Sequence, residues 1–204
     1  MRARQHPTRE RLIDVVVDLL ASKSPEEITV DEVLSTSGIS KGSLYHHFVD
    51  FHDLIDVALA ERFAAYVDVS IEQLVALMHS VKSEDEFWAG IDLITRESQA
   101  VSNRPNRANR VQILARATRS ESFRKLLGIQ QARLTEAYAD LIREGQMRGW
   151  LTNQFDAHAA AVLIQAYTLG RTIDDVNEVS VDPEKWIDLV NRLVRRTLGA
   201  DELS

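Results

Sequence analysis

Apolar residues between positions 29 and 48 recur at the spacing of two short helices that pack together. They are Val30, Val33 and Leu34, then Ile39, Leu44 and Phe48. Thr29 and Glu32 form a T-x-x-E capping box, which predicts a helix starting at Val30. Residues 35–38, Ser-Thr-Ser-Gly, end it, with Gly38 supplying the left-handed backbone of a tight turn. Ser40 is a good N-cap for a second helix over 41–47. Upstream, Leu12, Ile13, Val16, Val17, Leu19 and Leu20 make one apolar stripe on a helix predicted from Thr8 to about Ser22. The three helices form a bundle that carries a helix-turn-helix.

Downstream the period stays helical. Residues 51–80 fit one long helix capped by Asp50, and Ser83-x-x-Glu86 is a second capping box that opens a helix to about Val101. Residues 103–106, which include Pro105, are expected to break the chain before a helix over 107–118. Ser120 caps a longer helix to about Met147, residues 149–153 form a loop, and the next helix runs from Ala157 to about Asn177. Asp182-Pro183 is an N-cap followed by proline at the first helical position, which opens a last helix through Leu198. No strand alternation or repeat appears. The expectation is an all-α protein of about nine helices. The long helix joins a helix-turn-helix domain over 1–50 to a C-terminal helical domain over 51–204.

The second helix of the helix-turn-helix has an unusual outward face. Lys41, Gly42, Ser43, Tyr45, His46 and His47 are small, polar, aromatic or basic, and no acid occurs from Ser35 to Val49. Glycine inside a helix costs about 1 kcal/mol relative to alanine, so Gly42 suggests close approach of the backbone to something outside. These features fit a recognition helix in a DNA major groove, with short side chains near base edges and Tyr45 on phosphate. Arg2, Arg4 and Arg9 lie at or before the first helix, within reach of a DNA backbone or minor groove. Thr29 and Ser40 are neutral phosphate contacts.

Charge refines this picture. The formal net charge is −7, which argues against a general nucleic-acid binder. The acids, however, avoid the recognition helix and the arm before Pro7, as in a binder that avoids indiscriminate phosphate attraction. The chain has no cysteine, so disulfides, thiolate metal sites and a cysteine nucleophile are excluded. The six histidines make neither H-x-x-x-H nor H-E-x-x-H, and no phosphate loop or G-x-S-x-G motif is present. Catalysis, a metal centre and a cofactor are not expected. The longest purely apolar run, residues 159–164, is too short to span a bilayer, and no signal peptide is legible. A cytoplasmic protein without a membrane partner is the expectation.

The stretch ITVDEVLSTSGISKGSLYHHFVDFHDLI resembles the DNA-binding signature of the TetR family of bacterial transcriptional repressors, with the S-K-G-S-L-Y-H-H-F run as its specific part. The motif resemblance covers roughly residues 8–60; beyond it only length and helical character agree. It implies an all-helical homodimer that binds a palindromic operator in double-stranded DNA through its N-terminal domain and an effector through its C-terminal domain. In that family the start of the fourth helix often carries lysines that touch phosphate. Here Val49, Asp50, Phe51 and His52 stand there instead.

Two further sets of residues follow. Trp88, Gln112, Arg116, Tyr138, Gln165 and Thr168 are polar or aromatic on otherwise apolar helices, and they are candidates to hold a small, apolar effector. Residues 157–171 are apolar on nearly every face, and Trp186, Leu189, Val190 and Leu193 form a stripe on the last helix. On their residues alone these helices fit a closed C-terminal core equally well. The resemblance favours a dimer interface built from both, with Leu163 and Tyr167 from the first. A helical ligand-binding or interaction protein whose helix-turn-helix is not used on DNA is the alternative function.

Overall fold

The computed structural model describes residues 7–200, and Arg2 and Arg4 of the basic arm lie outside them. Among the described residues the chain is helical, with one isolated antiparallel bridge between Leu151 and Gly199. Nine helices exceed a single turn: α1 (Pro7–Leu19), α2 (Val30–Ser37), α3 (Lys41–His47), α4 (Phe51–Ser80), α5 (Glu84–Gln99), α6 (Arg104–Ala117), α7 (Glu121–Met147), α8 (Ala157–Gly170) and α10 (Pro183–Leu198). A one-turn α9 (Thr172–Asp175) lies between the last two.

The caps explain where most helices begin, and they also show where local pattern over-reached. Thr29 Oγ1 accepts from Glu32 N–H at 3.3 Å, but the Glu32 carboxylate turns to the Lys23 ammonium, so only half of the predicted capping box forms. At α5, Ser83 Oγ accepts from Glu86 N–H at 3.2 Å, and Glu86 reaches back one residue further, to Lys82 N–H at 2.7 Å. A complete reciprocal pair opens α4: Asp53 N–H donates to Asp50 at 2.8 Å and Val49 N–H to Asp53 at 3.1 Å. Helix α6 starts at Arg104 rather than 107, because Pro105 falls in the first turn, where its missing N–H would be unpaired anyway. Helix α8 ends at Gly170, short of the expected Asn177. The chain re-forms a single turn as α9 after the buried Arg171.

Backbone contacts divide the chain into two compact units. The first runs to Tyr66 and includes residues 117–130; the second comprises residues 67–116 and those from Gln131 onward. Both α4 and α7 contribute to each unit. The first buries Leu12, Val16, Val33, Leu44 and Phe48 together with Leu54 of α4 and Phe123 of α7. Arg62 donates to the Leu20 carbonyl just past α1 and ties that end to α4. The second packs Phe87, Trp88, Ala139, Ile142, Ala161 and Leu198 into a continuous core. No helix among the described residues is long and apolar enough to cross a membrane.

Candidate nucleic-acid interface and ligand cavity

Helix α3 is set by its two ends. Gly38 closes α2 at φ 71° and donates to Leu34 O at 3.0 Å, which turns the chain sharply. Ser40 Oγ accepts Ser43 N–H at 3.2 Å and so starts α3. Leu44 and Phe48 are 0% and 3% exposed and anchor the helix inward. That leaves Lys41, Gly42, Tyr45 and His46 exposed and Ser43 and His47 half-buried on the other side.

Gly42 has no internal reason to be glycine. A Cβ built there meets only Ser40 Oγ, at 4.0 Å, and otherwise open space. Nothing within the chain therefore requires the bare backbone at this position. Thr29 and Ser40 are exposed and accept backbone N–H groups, which leaves the Thr29 hydroxyl hydrogen able to donate outward. Ser43 Oγ lies 3.0 Å from Ser40 Oγ, so the two hydroxyls share a hydrogen bond. Arg9 sits with its guanidinium 5.3 Å from the centre of the Phe48 ring. The rings of His46 and His47 meet edge to face at 5.1 Å. Arg4 falls outside the described residues. At the start of α4, the acids Asp50 and Asp53 are occupied as caps.

The second unit holds an apolar cavity of about 40 Å³ between α4, α5, α7, α8 and α10. Its wall includes Leu74, Trp88, Tyr138, Leu141, Tyr167 and Val194. Of the six residues expected to hold an effector, Trp88 and Tyr138 line it. Gln165 is a satisfied core residue: it takes Gln131 Nε2–H at 2.6 Å and donates to Thr135 at 3.1 Å and Ala161 O at 3.2 Å. Thr168 bonds back to Ile164 O at 2.9 Å in its own helix, Gln112 is exposed, and Arg116 is half-buried near the end of α6.

Two wall residues escaped that reading. Thr95 and Tyr167 supply a polar pair hydrogen-bonded to each other, and burial raises the Tyr167 pKa despite that bond. The spacing of Trp88, Ile91 and Thr95 at i, i+3 and i+7 was the available signal. A second, open cleft of about 380 Å³ shares Trp88 and Ile91 with the cavity and adds Asp85, Asp92, Asn191 and Arg195. Trp88 is held between the two: its Nε1 donates to Glu84 at 3.0 Å, and Arg195 lies 5.4 Å from the ring centre.

The residues assigned to an interface separate into two groups. Leu163, Leu189 and Leu193 stand 57%, 49% and 56% exposed, with Val162 at 50% beside them. Val190 is buried, Tyr167 faces the cavity, and Trp186 donates to Gln99 Oε1 at 2.8 Å.

Comparison with known proteins matches both regions. Residues 12–56 fit the profile described as "Bacterial regulatory proteins, tetR family", and residues 100–199 fit "BetI-type transcriptional repressor, C-terminal". The transcriptional regulator UidR of Escherichia coli is 21% identical over 187 residues, spanning 85% of this chain and 84% of UidR. A TetR-family transcriptional regulator from Mesorhizobium loti superposes with a TM-score of 0.72 at 18% identity, over 97% of this chain and 100% of its own. Reduced Escherichia coli NemR gives 0.68 at 19% identity, over 97% and 100%.

Proposed function

The chain belongs to the tetR family of bacterial regulatory proteins and is a DNA-binding transcriptional regulator, and on that basis we propose that it is a homodimeric repressor, released from a palindromic operator by a small apolar effector. The observation that carries the DNA reading is the face of α3. It is acid-free, has Lys41, Tyr45 and His46 exposed, and contains a glycine whose missing side chain faces open space. Groove contacts fall to Lys41, Gly42, Ser43, His46 and His47, and backbone contacts to Thr29, Ser40, Tyr45 and the arginines Arg4 and Arg9. Footprinting on the DNA that flanks the protein's own gene tests this. The expected footprint is a palindrome with half-sites about one helical turn, or a multiple of it, apart. Lys41→Ala with Tyr45→Ala should abolish it while helicity is retained. Full affinity in that double variant, or binding without sequence preference at low salt, would favour the helical interaction protein instead.

The dimer proposal rests on Val162 and Leu163 of α8 and Leu189 and Leu193 of α10, all apolar and about half exposed. Single exposed leucines are ordinary, but four exposed apolar side chains on two helices of one unit are the ones a second copy would cover. The effector proposal rests on the apolar cavity, whose lining contains no ionised group. Its polar pair, Thr95 and Tyr167, suits one hydroxyl or carbonyl on an otherwise apolar, uncharged ligand. Leu74 places α4 in the cavity wall, and α4 is continuous into the DNA-binding unit. A ligand that shifts this helix thereby biases the recognition helices of the dimer away from the fixed spacing that DNA demands.

A further inference from the structure

Two arginines of the second unit are withdrawn from solvent to the same degree, each 2% exposed. Arg107 is fully answered. Its Nε and Nη2 donate to the two oxygens of Asp175 at 2.7 Å, and its Nη1 donates to the carbonyls of Ser98 and Ala100 at 2.9 Å. Arg171 is not. Its Nη2 approaches Asp174 Oδ2 at 3.5 Å, while Nε and Nη1 are buried with no hydrogen-bond partner among the described residues. One chain therefore shows both what a buried guanidinium requires and one that lacks it.

Two more buried atoms share this condition, Gln99 Nε2 and Thr172 Oγ1. Gln99 and Arg171 meet at one indole, and Thr172 adjoins Arg171. Trp186 Nε1 donates to Gln99 Oε1 at 2.8 Å, the Arg171 guanidinium lies 5.5 Å from the Trp186 ring centre, and Thr172 is the next residue in the chain. The bond from Trp186 also fixes the orientation of the Gln99 amide: its oxygen is taken, so its NH₂ is the free end. Every orphaned atom can thus donate, and a buried donor left unpaired loses its hydration with nothing in return.

Charge points the same way. Among the described residues Arg104, Arg107 and Arg171 are ion-paired only with Asp174 and Asp175, three cations against two carboxylates, with Arg104 47% exposed and 3.8 Å from Asp175. Water would satisfy the donors and leave the excess charge. A monovalent oxyanion satisfies both. We infer that the corner between the end of α5, the α8–α9 junction and the start of α10 binds a small carboxylate, whose oxygens accept from Arg171, Gln99 and Thr172. None of these three residues lines the apolar cavity, so the site is separate from that of the proposed effector. Trp186 lies in the first turn of α10.

Trp186 also reports on the site. The full-length protein is titrated with sodium acetate and, separately, with sodium chloride at the same ionic strength. The Trp186 contribution is taken as the emission difference between the unmodified protein and Trp186→Phe. Acetate is expected to change that emission saturably and to raise the unfolding midpoint, because it binds the folded chain. Arg171→Gln should weaken the apparent affinity by about 10- to 100-fold, the loss of a charge-assisted hydrogen bond. Thr172→Val, which keeps the buried charge and side-chain shape, should weaken it less and stands in if Arg171→Gln fails to fold. Chloride that acts as well as acetate overturns the carboxylate assignment. No saturable response, or one that Thr172→Val leaves unchanged, overturns the site.

Discussion

Arg107 and Asp175, 68 residues apart, meet through two parallel hydrogen bonds of 2.7 Å and join α6 to α9. The guanidinium holds the Asp175 carboxyl below the usual carboxylate range, against the opposing effect of burial. A depressed folded-state pKa stabilises the fold above the unfolded value of about 3.9. That contribution disappears as pH falls through the folded value. Asp175→Asn should therefore cost about 3–5 kcal/mol at neutral pH, the range for breaking a buried pair, and flatten the acid limb of stability. Arg107→Met should cost less, because Asp175 keeps Arg104 at 3.8 Å and is 11% exposed. Chemical denaturation at pH 7 and at low pH measures both, and a reversed order would contradict the account.

Gly42→Ala should separate stability from DNA binding. The added methyl meets open space and removes a helix-interior glycine, so stability should rise by up to about 1 kcal/mol. If the groove needs the bare backbone, operator affinity falls at the same time. A thermal melt beside a shift assay reads both, and unchanged affinity would free Gly42 from any contact.

Salt dependence should be modest for a dimer on DNA. The basic candidates per subunit are Arg2, Arg4, Arg9 and Lys41, and Asp50 and Asp53 stand where α4 begins. With log K falling by about 0.9 per neutralised phosphate, the slope against log salt should not exceed about 7 in magnitude. A steeper slope would reveal a basic surface beyond these four.

Effector binding should require the cavity to open. At about 40 Å³ it is far below the roughly 300–1,000 Å³ of ordinary ligand sites. Trp88 forms the wall shared with the larger cleft, so an uncharged apolar ligand should change tryptophan emission as that wall moves. Trp88→Phe should diminish the signal. Operator duplex should weaken the same ligand by about 5- to 150-fold, since coupling is reciprocal. Equal affinity with and without operator would exclude the compound as an inducer.

Leu163→Arg combined with Leu189→Arg should turn a dimer into a folded monomer in sedimentation and reduce operator affinity. Val190→Ala should instead lower stability by about 0.5–3 kcal/mol, because its side chain is enclosed within its own subunit. If the leucine variants remain dimeric, the exposed face of α8 and α10 is not the interface.

The sequence by itself determined the helices and the acid-free outward face of α3. Caps, a left-handed glycine and the 3.6-residue period act within about four residues, so Thr29, Gly38, Ser40 and Asp50 were legible before any folding was known. Which partner a polar or apolar side chain finds was decided by the tertiary structure. Glu32 left its expected box for Lys23, Gln165 became a core clasp with Gln131 and Thr135, and Tyr167 and Thr95 met across α8 and α5 in the cavity wall. Val190 and Leu189, adjacent in one apolar stripe, parted into buried and exposed. Periodicity specifies a face, but the neighbour that covers that face comes from residues tens of positions away. Only the assembled packing decides whether a buried donor such as Arg171 is answered.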